Sequence, residues 1–298
     1  MGSKVESIGL YQDQHTVGIT TVDFADKAVV DCFNHSRHDK NEVDYILHIS
    51  NYRNYRSKEI VEPAMASFIQ RDIQINHDIE PHHGHRTLSF DLMNGSLGFL
   101  QAAQVIDALI ATQRARVGLI VSGNSRIPAG RAIELRIPFY EIGCSTLIDE
   151  STEGRGLSAF YYRSFPEYIK DYEVYLDFRD GEWRVNSVQI QNILELFVQV
   201  IRTGIGEYLQ RGGIALSSFD IVIAPQISTA FIDEVREVLG GQDERFINAT
   251  AEGDDLFSAS IPVALKYAID NNLAQPGNKA LLISVGSGIQ VGCATYTF

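Results

Sequence analysis

Apolar positions repeat at helical spacing in one stretch of the chain and run continuously in the next. Residues 24–50 (FADKAVVDCFNHSRHDKNEVDYILHIS) predict an amphipathic helix, a polar turn and a buried strand. Residues 197–228 predict the same series, with a glycine-containing loop in place of the polar turn. Continuous apolar strands are typical of a sheet that helices cover on both faces. The pattern therefore predicts an α/β fold.

The units that follow these two stretches also match each other. Residues 95–123 predict a small-residue turn, a long apolar helix and a buried strand, and residues 257–286 predict the same elements. A glycine-bearing turn and one more strand then complete each series, at 143–148 and at 291–298. Two copies of one order of elements predict a duplicated fold with two similar halves.

We place the boundary between the halves at residue 150, which gives a first half of residues 1–150 and a second half of residues 151–298. Around this boundary, residues 149–196 read as irregular and are rich in aromatic side chains. One interpretation is a connection between the repeats that covers a sheet edge. The alternative is a partner interface, because aromatic residues are enriched at interfaces.

Composition excludes several classes of function. The formal net charge of −13 over 298 residues makes nucleic acid and anionic membranes unfavourable partners. The three cysteines form no CxxC pair, so we expect neither a zinc site nor a disulfide framework. No signal-peptide pattern and no run of 18 apolar residues occurs. We therefore expect a soluble cytoplasmic protein.

Residues 90–124 (FDLMNGSLGFLQAAQVIDALIATQRARVGLIVSGN) resemble the nucleophile segment of β-ketoacyl-acyl-carrier-protein synthase III, which has an FD–x4–C–x–GF pattern before a long helix and a strand. Four further stretches resemble the same family and follow in the family's order, at 137–148, 219–228, 259–269 and 281–298. The resemblance implies the thiolase-like fold, with two similar halves in a layered α-β-α-β-α arrangement.

This sequence departs from the family at the three positions that carry the chemistry. Ser96 stands where the family has its cysteine nucleophile, and Pro225 stands where it has its histidine. Asp255 stands where the family has the asparagine that, with the histidine, stabilises the enolate. Proline has no proton to exchange, and a carboxylate would repel the developing negative charge. Decarboxylative condensation by this chain alone is therefore not expected.

Two further departures agree with this interpretation. Only about 15 residues separate the first strand from the first helix, and residues 139–144 (FYEIGC) replace the family's FGDGAG turn. Shortening and loss of the cysteine resemble the non-catalytic subunit of heterodimeric condensing enzymes. The resemblance implies a degenerate subunit that supports a catalytic paralogue in acyl-thioester condensation, in a specialised-metabolite or fatty-acid-derived pathway. Its partner would be that paralogue or a second copy, with acyl-carrier protein or acyl-CoA as ligand.

Two other functions stay open at this point. Ser96, with Asp255, could serve a serine acyltransferase or thioesterase, although such a nucleophile needs a histidine or lysine base. The other possibility is a homodimer that binds acyl or carrier-protein ligands without chemistry. A structural role for Ser96 competes with both, because serine often caps a helix.

We expect no cofactor and no metal. All eight histidines precede residue 86, and those at 82, 83 and 85 lie next to one another without a carboxylate or cysteine cluster to complete a metal site. Cys144 aligns with a small buried residue of the family, so we interpret it as core packing rather than as a substitute nucleophile.

Finally, the sequence predicts an obligate dimer that buries more than ~2,000 Å² in total. We assign the edge strand of this interface to residues 117–123 (VGLIVSG), which are apolar throughout.

Overall fold

The structure is a computed structural model in which strands and helices alternate, as the apolar pattern predicts. The described residues are 2–13, 18–51, 53–56, 58–60, 62, 64–78, 86–125, 140–151, 154–179, 182–250 and 255–298. The helices are α1 (Thr21–Asn34), α2 (Met65–Ile73), α3 (Gly98–Ala111), α4 (Ile193–Gly212), α5 (Thr229–Leu239) and α6 (Ser260–Asp270). The strands are β1 (Gly2–Tyr11), β2 (Tyr45–His48), β3 (Asn54–Tyr55), β4 (Lys58–Glu59), β5 (Leu88–Asp91), β6 (Val117–Asn124), β7 (Ile142–Ser151), β8 (Gly156–Ser164), β9 (Tyr172–Arg179), β10 (Glu182–Gln189), β11 (Ile221–Ile223), β12 (Lys279–Gly286) and β13 (Gln290–Thr297).

Nine strands form one hydrogen-bonded sheet in the order β11-β12-β13-β8-β1-β7-β6-β2-β5. In the first series β1 pairs with β7 and β7 with β6, both antiparallel, and β2 pairs parallel with β6 and β5. The second series repeats this with β8, β13, β12 and β11, and a parallel bridge from Val222 to Phe246 stands in the place of β5. The series meet at a single pair, Ser3 with Leu157. The strand order is therefore duplicated, while the boundary at residue 150 stays a prediction.

The buried apolar side chains form three clusters that correspond to three layers of helices. One outer cluster contains Val29 of α1, and the other outer cluster contains Ile201 of α4. The middle cluster contains Ile106 of α3 together with Leu265 of α6, so these two helices pack against both halves of the sheet. Helices and strands thus alternate as α-β-α-β-α, which is the predicted arrangement.

Two local features position α1 on the sheet. Its N terminus has a capping box, in which Thr20 Oγ1 accepts from Asp23 N (3.2 Å) and Asp23 Oδ2 accepts from Thr20 N (2.9 Å). A side chain at Gly9 of β1 would overlap the carbonyl oxygen of Ala28 and the backbone of Cys32. Only glycine therefore allows the helix to lie this close to β1.

Two expectations about strands are wrong. Residues 149–196 are not irregular, because they contain β8 in the middle of the sheet and the β9–β10 hairpin. The apolar residues 117–123 are not an edge, because β6 pairs with β7 on one side and β2 on the other. That strand is apolar because neighbours and helices enclose it on all sides. The outermost strands of the nine-stranded sheet, within the described residues, are β5 and β11.

No helix within the described ranges is both long enough and apolar enough to cross a membrane.

Candidate active site

The three positions aligned with the family's chemistry come together at one end of the sheet. Ser96 lies in a 3-10 turn, Gly95–Leu97, immediately before α3. Asp255 lies just before the turn that leads into α6, and Pro225 follows the end of β11. Because α3 and α6 share the middle layer, their first turns lie against each other. A Cβ on Gly95 would lie 3.2 Å from Cζ of Phe257.

Ser96 does not cap α3, so the structural interpretation of this residue is wrong. The helix begins at Gly98, its N-cap position is Leu97, and no side chain accepts a hydrogen bond there. The turn is held instead by neighbours, since Gly95 N donates to Asn51 Oδ1 (3.1 Å) and Leu97 N donates to Asn94 O (3.1 Å). Within the described part of the chain, no residue hydrogen-bonds the Ser96 hydroxyl.

Replacement of Ser96 by alanine is therefore expected to change the free energy of unfolding by less than ~0.5 kcal/mol, because no cap is lost. Chemical denaturation of both proteins measures this difference. Thr20→Ala is the matched control, since that hydroxyl does cap a helix and its loss should cost about 1 kcal/mol. A Ser96→Ala loss as large as that of the control would contradict the assignment.

Asp255 is a buried carboxyl group without a basic neighbour in the described residues. Burial raises its pKa to about 7, and a hydrogen bond from Phe257 N to Oδ1 (2.7 Å) partly opposes this rise. The backbone around it is fixed, because Tyr140 N donates to Asp255 O (2.8 Å) and Leu256 N donates to Gln226 O (3.0 Å). The carboxyl group is thus poised between its neutral and charged forms near neutral pH.

Pro225 is buried and contributes no exchangeable proton, so the histidine position is chemically empty. The next residue, Gln226, is the one with a defined role. Its Nε2 donates to Ala224 O (2.8 Å) and Ile247 O (3.1 Å), while Oε1 accepts from Ala249 N (2.7 Å). Sequence reasoning missed this buried amide, although glutamine beside the family's histidine position was a signal.

His48 is the buried histidine nearest to the start of α3 along the sheet, but it faces the outer layer. It lies beside Asp91, which accepts hydrogen bonds from the first backbone N–H groups of α2 at Met65 and Ala66. Burial lowers the pKa of His48 to about 4, so its ring is neutral at pH 7. A neutral ring could accept a proton, but His48 lies beside Asp91 and makes no hydrogen bond to Ser96, so the structure does not place it as the base for Ser96.

Other candidate groups also lie away from this chemistry. The histidines at 82, 83 and 85 lie outside the described residues, as does Phe139 at the start of the substituted turn 139–144. Within the described ranges, no three histidine, cysteine, aspartate or glutamate side chains are grouped to hold a metal ion. Cys144 is buried in β7, where burial raises the pKa of its thiol, so the thiolate is disfavoured.

Sequence comparisons relate the chain to one group of proteins. Residues 209–298 match the family model described as 3-oxoacyl-(acyl-carrier-protein) synthase III C terminal. The β-ketoacyl-(acyl-carrier-protein) synthase III of Neorickettsia sennetsu is 23% identical over 279 residues, which cover 93% of this chain and 83% of that protein.

Comparison with solved structures gives the same fold. The 3-oxoacyl-(acyl-carrier-protein) synthase III of Aquifex aeolicus has a TM-score of 0.81 at 16% identity and covers 100% of both chains. A cysteine-to-serine variant of Xanthomonas campestris OleA with bound lauric acid and lauroyl-CoA has a TM-score of 0.81 at 13% identity. That match covers 100% of this chain and 99% of OleA.

Proposed function

We propose that this chain, which is synthase III-like and has the thiolase-like fold, is a non-condensing subunit that supports a cysteine-bearing paralogue in acyl-thioester condensation. The observation that supports this proposal is the composition of the candidate active site. The turns that would present nucleophile, base and enolate stabiliser are in place, yet they carry Ser96, Pro225 and Asp255. Geometry without reactive groups fits a role in shaping or completing the site of another subunit.

The chemistry of the three side chains supports this proposal. A hydroxyl is a poor nucleophile unless a base removes its proton, and Pro225 offers none. An ionised Asp255 would oppose the negative charge that decarboxylation of a malonyl group develops. Co-expression with a cysteine-bearing synthase III-like paralogue, followed by size-exclusion chromatography, tests the proposal directly. Elution of the two chains as separate species would contradict the proposed partnership.

The β5 edge is the surface through which we expect this partner, or a second copy, to pair. The N–H group of Leu88 donates to Asp44 O, just before β2, and that of Leu92 donates to His48 O at the end of β2. In a parallel ladder the alternate residue, Ser89, then points its N–H away from the sheet. The Leu88 side chain is 58% exposed at this edge. Such exposure is expected of an outermost strand that can pair with a strand of another chain.

Ser89→Pro is expected to weaken the dimer roughly 100-fold, because it removes the outward donor without touching the ladder to β2. Sedimentation at a series of concentrations measures the dissociation constant. Ser89→Ala is the control, since it removes the hydroxyl contact with Ser67 Oγ (3.0 Å) but keeps the backbone N–H. Equal dissociation constants for proline and alanine variants would exclude pairing through β5.

A second function, a serine-dependent acyltransferase or thioesterase, is favoured by one specific observation. The Ser96 hydroxyl has no capping partner, and the buried Asp255 nearby titrates near neutrality. Mass spectrometry after incubation with an acyl thioester separates the two proposals. An acyl adduct on Ser96 that Ser96→Ala abolishes supports the serine enzyme, whereas an unmodified chain supports the non-condensing subunit.

The third proposal, ligand binding without chemistry, gains support from the OleA comparison. That cysteine-to-serine variant holds lauric acid and lauroyl-CoA, so serine in a related fold is compatible with acyl-CoA binding. In this chain the same kind of ligand would be an acyl-CoA or an acyl-carrier protein.

A further inference from the structure

Phe257 has a backbone conformation that its side chain disfavours. Its φ is +47°, in the left-handed region that bulky residues rarely adopt. Such strain persists only where the surrounding structure enforces it, and it concentrates at functional sites. Phe257 lies in the first turn before α6, directly against the turn that carries Ser96.

Hydrogen bonds from buried polar groups enforce this conformation. Phe257 N donates to Asp255 Oδ1 (2.7 Å), which closes the turn from the preceding side. Asn124 Nδ2 donates to Leu256 O (3.1 Å), and Asn124 Oδ1 accepts from Ser258 Oγ (2.8 Å). The residues on both sides of Phe257 are therefore fixed to the end of β6, which holds the backbone of Phe257 in this conformation.

The ring packs against the turn that carries Ser96. Its Cζ and Cε2 atoms lie 3.2 and 3.5 Å from the position of a Cβ on Gly95, which is the residue before Ser96. A thioester that reacts with or rests on the Ser96 hydroxyl must bring its carbonyl within ~3.5 Å of that oxygen. A phenyl ring in contact with the same turn competes with the acyl chain for this space.

We infer that Phe257 is an internal plug of the acyl site: its ring occupies the place of an acyl chain, so that the isolated chain excludes acyl thioesters of medium and greater chain length. The inference deepens the proposed function, on which it rests only in taking the Ser96 turn as the acyl site. Removal of the ring opens a binding site for a medium-chain acyl-CoA. With Phe257 in place, the chain differs from a condensing enzyme in the access of an acyl chain to the site as well as in the reactive groups.

Isothermal titration of the isolated chain with octanoyl-CoA tests the plug. Phe257→Gly is expected to bind at least ~10-fold more tightly than the wild type, since burial of a few methylene groups contributes that factor. Phe257→Asn should behave alike, because glycine and asparagine both accept the left-handed conformation. Phe33→Ala is the matched control, as it removes a half-buried ring from α1 in the outer layer. Ser96→Trp in the Phe257→Gly background should abolish the gain.

A second measurement keeps Phe257 in place. The Ser96→Cys variant should react more slowly with an octyl iodoacetamide than with iodoacetamide itself, because the ring obstructs the alkyl chain. Equal alkylation rates, or equal octanoyl-CoA affinities for the wild type and Phe257→Gly, would overturn the plug. Neither result touches the proposed partnership, which fails separately if the paralogue does not co-elute with this chain.

Discussion

The isolated chain is expected to form β-ketoacyl product from an acyl thioester and malonyl-carrier protein at least ~10⁴-fold more slowly than a cysteine-bearing synthase III. Loss of a catalytic nucleophile or its base alone can lower kcat by ~10⁶-fold, and loss of one stabilising donor by ~10²-fold to 10³-fold, although these effects are not additive when the groups act as a unit. Here Ser96, Pro225 and Asp255 change all three contributions. A radiochemical or mass-spectrometric product assay measures the rate.

The informative control for this rate is the same assay on the complex with a cysteine-bearing paralogue. Its activity should survive Ser96→Ala in this chain, because the reactive groups lie in the other subunit. Steady product formation by the isolated chain, abolished by Ser96→Ala, would instead establish the serine enzyme.

Replacement of Asp255 by asparagine is expected to stabilise the protein above pH 7 by up to about 4 kcal/mol. The folded chain holds the Asp255 proton more tightly than the unfolded chain, because burial raises the pKa from 3.8 to about 7. The unfolded chain therefore loses its proton first as pH rises. The contribution of Asp255 to stability therefore falls as pH rises from 3.8 to about 7, and it is constant below and above this range.

Urea denaturation from pH 4 to pH 9 measures this effect as the difference between wild type and Asp255→Asn. That difference isolates Asp255 from Asp26, whose pKa burial and the nearby Asp72 raise to about 8. Asp270→Asn, at an exposed position in an ion pair with Lys266, is the control. Parallel stability curves for wild type and Asp255→Asn would show that the carboxyl group is not desolvated.

Much of the layout followed from apolar spacing. The alternation of helices and strands is confirmed, since α3 and β6 fall within 95–123 and α6 and β12 fall within 257–286. The thiolase-like fold is confirmed by the comparisons as well as by the strand order. The spacing of apolar residues indicates the order of helices and strands because each helix or strand must bury one face or both.

What the sequence did not provide is the environment of each strand and turn. An apolar run such as β6 reports burial but not which strands lie beside it, so its assignment to an edge failed. Ser96 was expected to cap α3, but a 3-10 turn intervenes and moves the helix start to Gly98. The left-handed backbone of Phe257 is held partly by Asn124, which is distant in the chain and bonds the residues on both sides of it, so the local sequence does not indicate this conformation. The roles of Ser96, Pro225 and Asp255 stay predictions.

The single backbone pair between Ser3 and Leu157 separates the cohesion of the molecule from its chemistry. With so little ladder across the centre, α3 and α6 and the turns before them fasten one half of the molecule to the other. Gly95, through its contact with Phe257, and Asn124, through its bonds to Leu256 and Ser258, carry this attachment. Neither contact involves the side chain of Ser96, Pro225 or Asp255, so exchange of those reactive groups leaves the attachment in place.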